Sequence, residues 1–162
     1  MFNARTLFFA AAIGAMSCGA GAQVVITQPN LSFDGARDMA LTTMDTCRKQ
    51  GFRVTVTVLD RTGRTRVMLH DDNANPHTIE NSLRKAHTAL TFRMPSVEMQ
   101  KRAASNPSVL HLANVVTGEG GLPVVINKQL VGSIGVSGAP GGDKDAACAQ
   151  AGIERISKGP AQ

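Results

Sequence analysis

The stretch FRVTVTVLDRTGRTRVMLH, residues 52–70, decides the fold class. It alternates β-branched apolar and polar residues from Phe52 to Asp60, turns at Arg61-Thr62-Gly63 and extends again from Arg64 to His70, the pattern of a β-hairpin. A second pair of strands is expected in GEGGLPVVINKQLVGSIGVSG, residues 118–138, around a turn at Asn127-Lys128-Gln129. Hairpins impose antiparallel pairing, so the segments between them pack as helices on a sheet and do not form Rossmann-type crossovers. The first helix is predicted from about Phe33 to Gln50, with Ala36, Met39, Ala40, Met44 and Cys47 at three- and four-residue spacing and Gly51 as its stop. A second begins at Asn75-Pro76 and is interrupted by Pro95, PSVEMQKRAAS forms a short third, and GGDKDAACAQAGIERI closes the chain. NPSVLHLANV has no clear period.

Residues 1–22 read as a secretory signal peptide, with Arg5, an apolar run from Leu7 to Met16 and a small-residue cleavage site before Gln23. Residues 23–31 form an extended lead, and residues 32–158 a single domain, which suits the length left after cleavage. The expected location is periplasmic or secreted, and no later segment approaches the ~20 apolar residues of a membrane helix. Cys18 lacks the upstream leucine of a lipidation site.

Without Arg5 the formal charge is +4, mild and scattered, and no aromatic platform accompanies it. Nucleic acid is therefore excluded as a partner, and small anionic molecules fit better. Cys47 and Cys148 remain after processing. In an oxidising compartment they could close a loop of about 100 residues, or stay as two buried thiols.

The segment HDDNANPHTIENSLRKAHTALTFRMPS, residues 70–96, carries three of the four histidines. An EF-hand is excluded, because a loop begun at Asp71 would put Pro76 where the turn needs Gly and Ser82 where a bidentate Glu is required. His77 and His87 are ten positions apart, about 15 Å along a helix, and cannot share an ion. Asn75 suits an N-cap and Pro76 the first helical position. Ile79, Leu83, Ala86 and Leu90 make the stripe expected to face the core, and His77, Asn81, Arg84 and Thr88 a polar stripe rotated away from it. The positive end of the helix disfavours an imidazolium at His77, and a neutral imidazole is what iron ligation needs. Arg84, two turns on and about 10 Å away, could meet a carboxylate of the same ligand. The alternative is a solvated face with a Glu80–Arg84 pair.

Other motifs carry less. GEGGLP lacks the Lys-Ser/Thr ending of a phosphate loop and leads into a strand, although its glycines would let a ligand approach the backbone. GVSGA is not a nucleophile elbow, and Asp143 and Asp145 read as helix caps.

VTVTVLDRTGR, NSLRKAHTALTFRMPS, GGLPVVINKQLVGSIGVSGA and DKDAACAQAGI stand in the order and spacing of the haem-degrading domain family, also called HbpS-like or glycolate-operon-accessory-like proteins. The chain resembles this family from about Ser32 to Ile156. The resemblance implies an α/β (α+β) fold, a profilin-like α/β/α sandwich with a central antiparallel sheet of about five strands. It also implies a homo-oligomer, from dimer up to octamer, with haem as cofactor and, by analogy with one exported member, a membrane sensor kinase as partner. The matching positions are Lys85, Ala86, Thr88, Ala89, Gly120, Gly121, Pro123, Gly132, Gly135, Gly138 and Asp145, most of which read as structural. One relative's ligand lies in the first helix, where this chain has no histidine, so the ligand is not carried over.

Polar stripe and resemblance together give a haem-binding protein with His77 as iron ligand, Arg84 and Lys85 as cations for the propionates and Thr88 on the same face. Binding, storage or sensing is expected in preference to haem degradation, since no electron-donor site or flavin fingerprint is present. The alternatives are an enzyme or accessory protein for a small organic acid, using the turn from Gly118 to Pro123, and a non-catalytic oligomeric interaction module.

Overall fold

A computed structural model describes residues 24–158. The expected signal peptide lies outside the described residues. The helix α1 runs Phe33–Lys49, and Ser32 caps it by accepting from the Gly35 amide at 3.1 Å. The first hairpin is β1, Thr55–Asp60, with β2, Thr65–His70. Then come α2, His77–Phe92, α3, Glu98–Ser105, and a 3-10 turn at Pro107–His111, where the sequence has no clear period. The strands β3, Gly121–Ile126, and β4, Gln129–Ser137, form the second hairpin, and α4, Gly142–Ser157, ends the fold. Asn127 and Lys128 both have positive φ, 49° and 64°, giving the two-residue turn whose twist suits a hairpin.

All pairings are antiparallel in the order β2-β1-β4-β3, so the sheet has four strands among the described residues where the resemblance implied about five. The helices α1 and α4 cover one face and α2 the other, an α/β/α sandwich as expected.

The two faces differ in chemistry. Val56, Val58, Val124, Ile134 and Val136 face α1 and α4 together with Met39, Ala40, Met44 and Ala149. Within that layer Cys47 and Cys148 form a disulfide with a Cα–Cα distance of 5.6 Å, so the bridge and not the pair of thiols is realised. On the opposite face Thr55, Thr57, Ser133, Gly135 and Ser137 lie under α2. Alternation such as VTVTV ordinarily marks a strand with one wet face. Here the polar half is buried too, and its hydroxyls pair across the layer: Thr55 Oγ1 with Thr78 Oγ1 and Thr57 Oγ1 with Ser82 Oγ, both at 2.7 Å. The Ser133 hydroxyl donates to the Ala86 carbonyl at 2.8 Å.

This polar layer corrects the expected core stripe of α2. Thr78, Ser82, Lys85, Ala86, Thr88 and Ala89 are buried, whereas Ile79 is 41% exposed and Leu83 and Leu90 are half-buried at the flanks. The cause is the closeness of helix and sheet: a Cβ on Gly135 would collide with the Ser82 carbonyl, and one on Gly121 with the Lys85 carbonyl. At such separation only small side chains fit between the backbones. The start of α2 differs slightly as well. Pro76 is helical (φ −54°) as expected, but no side chain caps the helix; the Asn75 carbonyl accepts from the Thr78 amide and hydroxyl at 3.0 and 2.6 Å.

The loop before α2 is fixed by charge. Asp71, 3% exposed, takes a two-pronged hydrogen bond from Arg48 Nε and Nη2 at 3.0 and 2.8 Å, which ties the end of α1 to this loop. The Arg48 guanidinium holds the Asp71 carboxyl below the usual carboxylate range, against the opposing effect of burial.

Candidate functional site

The amino ends of α2 and α4 meet at one side of the sandwich, next to the turn leading into β3. Between them lies a cavity of about 530 Å³, lined among others by Asn75, His77, Asn81, Lys85, Glu119 and Ser137. A second groove of about 360 Å³ continues along α2 and is lined by His77, Glu80, Asn81 and Arg84. His77 and Asn81 belong to both, one turn apart on the helix.

His77 is exposed and makes no hydrogen bond to the described residues, so both ring nitrogens are available at the cavity mouth. Arg84 shares the groove with it. One guanidinium nitrogen donates to the Val115 carbonyl at 2.8 Å and another stands 4.0 Å from Glu80, with the side chain 38% exposed. The backbone contact fixes the guanidinium in place and leaves other donors for a ligand. The Glu80–Arg84 pair anticipated for a merely solvated face is therefore present but loose.

Lys85 and Thr88 are placed differently from the expectation. Lys85 does not stand beside Arg84 as a second free cation; it turns under the helix, 4% exposed, and donates to Asp145 at 2.8 Å and to the Val136 carbonyl at 2.9 Å. It borders the larger cavity and not the Arg84 groove. Thr88 is fully buried and lines neither hollow; its hydroxyl donates to the Arg84 carbonyl at 2.8 Å and accepts from the Val116 amide at 3.0 Å. Its role is to hold the segment after the 3-10 turn against α2.

One residue of the site, Asp145, was read otherwise in the sequence, and Ser137 and Glu119 were given no role there. Asp145 does not cap α4. Its oxygens receive Lys85 and the Ala139 amide at 2.8 and 3.0 Å, and burial raises its carboxyl pKa although Lys85 opposes the shift. Ser137 accepts from Asn81 Nδ2 at 2.9 Å and is 3% exposed. Glu119 stands at the rim beside Gly142. The run Lys-Ala-His-Thr-Ala could have hinted that Lys85 enters the core, since its neighbours on that face are small. Nothing local points to Asp145, sixty positions away.

The glycines of GEGGLP serve packing. Gly120 has φ +117°, and a Cβ there would press on the Val136 carbonyl and on Asp145. His70 bonds Thr55 at 2.7 Å, and no group of three metal-ligating side chains occurs among the described residues.

The profile of a family described as "Haem degrading protein HbpS-like" matches residues 31–154. Among solved structures, a double mutant of Streptomyces reticuli HbpS is similar with a TM-score of 0.79 and 32% identity, covering 94% of this chain and 99% of the other. A structure titled "PduOC:Heme Complex" shares the fold with a TM-score of 0.72 at 23% identity, over 78% of this chain and 95% of that one. An uncharacterised 15.0 kDa protein from the dhaT-dhaS intergenic region of Citrobacter freundii is 36% identical over 90 residues, which span 52% of this chain and 63% of that relative. With the profile covering nearly all of the described residues and the structural match covering almost the whole chain, the protein belongs to the HbpS-like family.

Proposed function

We propose that this chain is an exported haem-binding protein, acting in haem binding, storage or sensing, in which His77 would hold the iron and Arg84 would meet a propionate. The observation that carries the reading is the shared groove on α2: an imidazole without an internal partner at one end and a guanidinium fixed by the Val115 carbonyl at the other. The donor set fits haem, since a ring nitrogen suits iron and a cation two turns away suits a carboxylate. Bound haem would supply the iron centre. The chain's part is to present the imidazole, orient the propionate edge through Arg84 and exclude Lys85, which is already neutralised by Asp145.

Support comes also from the relatives, one of which is titled as a haem complex. The groove is open and its lining polar, so one chain covers haem poorly. The reading therefore includes a homo-oligomer in which a second copy closes over the porphyrin, and an encounter with a membrane sensor kinase remains part of the sensing form of the proposal. No helix among the described residues is long and apolar enough to cross a membrane.

Titrating the purified mature chain with hemin tests the reading. A Soret band should saturate at one haem per chain or per pair of chains, and Arg84→Ala should weaken affinity by about tenfold while keeping the band, the loss of one charge-assisted contact. Absence of any shifted Soret band in the wild-type chain would remove the proposal.

A further inference from the structure

At the end of the sandwich opposite His77, both hairpin turns meet the carboxyl end of α2. They lie on one side because β1 and β3 each run antiparallel to β4 and so finish together. One hollow there, of about 350 Å³, is lined among others by Arg61, His87, Leu90 and Arg93. Its neighbour, of about 340 Å³, is lined among others by Gln28, Arg61, Arg93 and Lys128. Arg61, Arg93 and Leu130 belong to both, and none of these residues lines the His77–Arg84 groove.

Three cations from positions 61, 93 and 128 thus surround one depression, and neither lining contains an Asp or Glu. Arg61 is held by neutral acceptors: its Nε donates to Gln28 Oε1 at 2.9 Å and its Nη1 to the Leu130 carbonyl. Three of its five N–H donors stay open. The side chains of Arg93 and Lys128, both exposed, make no hydrogen bond or ion pair to the described residues. Opposing charge is smaller. The Asp60 carboxylate, next to Arg61 in the chain, is buried and accepts from Thr62 and the Arg64 amide. The carboxyl end of α2 adds about half a negative charge. Counted whole, the two still leave the depression positive.

The backbone beneath two of the cations is an independent observation. Arg93 has φ 55° and Lys128 φ 64°, left-handed positions at which glycine is the usual residue. The first ends a helix, and the second completes a two-residue hairpin turn. A side chain costs stability at such places, and strain of this kind collects where side chains serve a ligand.

We infer that this depression binds a phosphate monoester as its dianion, with Arg61, Arg93 and Lys128 around the phosphoryl oxygens and the body of the ester over Leu90. Guanidinium forks match phosphoryl oxygens in pairs, and a dianion with three such oxygens engages three cations at once. His87, whose pKa is lowered by burial, joins Leu90 in giving the body an uncharged wall.

Calorimetric titration of the full mature chain with phenyl phosphate and with phenyl sulfate, a monoanion of similar shape, decides the matter at a pH of about 8, above the second phosphate pKa of ~6. Phenyl phosphate should bind with a dissociation constant between about 10 µM and 1 mM, and phenyl sulfate about tenfold more weakly. Arg93→Gly and Lys128→Gly should each weaken phenyl phosphate about tenfold while Tm stays equal or rises, because glycine relieves the left-handed backbone. Lys101→Ala removes a surface charge elsewhere, 81% exposed, and should leave the affinity within about twofold. No binding of phenyl phosphate, equal affinity for phenyl sulfate, full affinity in either glycine variant, or the same loss in Lys101→Ala would each overturn the inference. So would sedimentation with phosphatidic acid vesicles by a chain that ignores phenyl phosphate, which would assign the cations to a lipid surface. None of these readouts involves haem, so this inference and the haem reading fail separately.

Discussion

Lys85→Met should destabilise the fold by about 3–5 kcal/mol, because it strands the Asp145 carboxylate in the interior without its partner. Both side chains are nearly inaccessible, 5% and 4% exposed, so solvent cannot replace the lost contact. Asp145 itself gives the effect a pH signature. Burial already raises its carboxyl pKa in the native protein, with Lys85 pulling the other way. A carboxyl whose folded pKa exceeds its unfolded value makes the folded state bind the extra proton, so its contribution to stability falls as pH rises from the unfolded value through the folded one. Without Lys85 that window extends upward, and the variant should lose most stability above neutrality and recover as pH is lowered toward the ordinary carboxylate range near ~4. Urea denaturation at several pH values measures this. The double replacement Lys85→Met with Asp145→Leu should recover much of the loss, since neither charge is then left alone. A single variant as stable as wild type at high pH would mean that the pair is not buried as described.

Removal of the bridge between Cys47 and Cys148 has an effect of similar size. The bridge joins α1 to α4 across a sequence separation of 101 residues. Chain-entropy reasoning assigns a closed loop of that length roughly 4–5 kcal/mol. Replacing both cysteines by alanine should lower Tm by roughly 15 °C in a scanning calorimeter, and adding a strong reductant to the wild type should move Tm in the same direction. Both sulfurs are fully buried against Met44 and the valines of the sheet, so alanine also leaves a small void. Equal Tm values for wild type and double variant would show that the loop constraint contributes nothing.

How far the sequence reveals this molecule depends on the physical range of each signal. Hairpins are legible because their determinants are local: alternation in VTVTV, and a turn at Asn127 and Lys128 that tolerates positive φ. The extent of α1 is equally local, from the Ser32 cap to Gly51. The buried face of α2 is misread because hydrophobicity is the wrong signal there. Where Gly135 and Gly121 let a helix lie against the sheet, size selects the residues, and Thr78, Ser82 and Ala86 displace Ile79 from the interior. The candidate site divides in the same way. His77 and Arg84 share a helix face, so seven positions of spacing place them in one groove. The Lys85–Asp145 pair and the Asn81–Ser137 contact join elements 60 and 56 residues apart, and no local pattern announces either. A cap at the start of α4 is the cheap explanation for an aspartate there, and tertiary pairing with a buried lysine overrides it.

The central functional claim is that the imidazole of His77 holds the iron of haem, and ligand replacement tests it most directly. Hemin is added to wild type and to His77→Ala, and absorption and electron paramagnetic resonance spectra are recorded before and after adding free imidazole. The account predicts that His77→Ala loses the wild-type Soret band and regains a similar one when imidazole enters the vacated position. A variant that keeps the wild-type spectra without imidazole would contradict it.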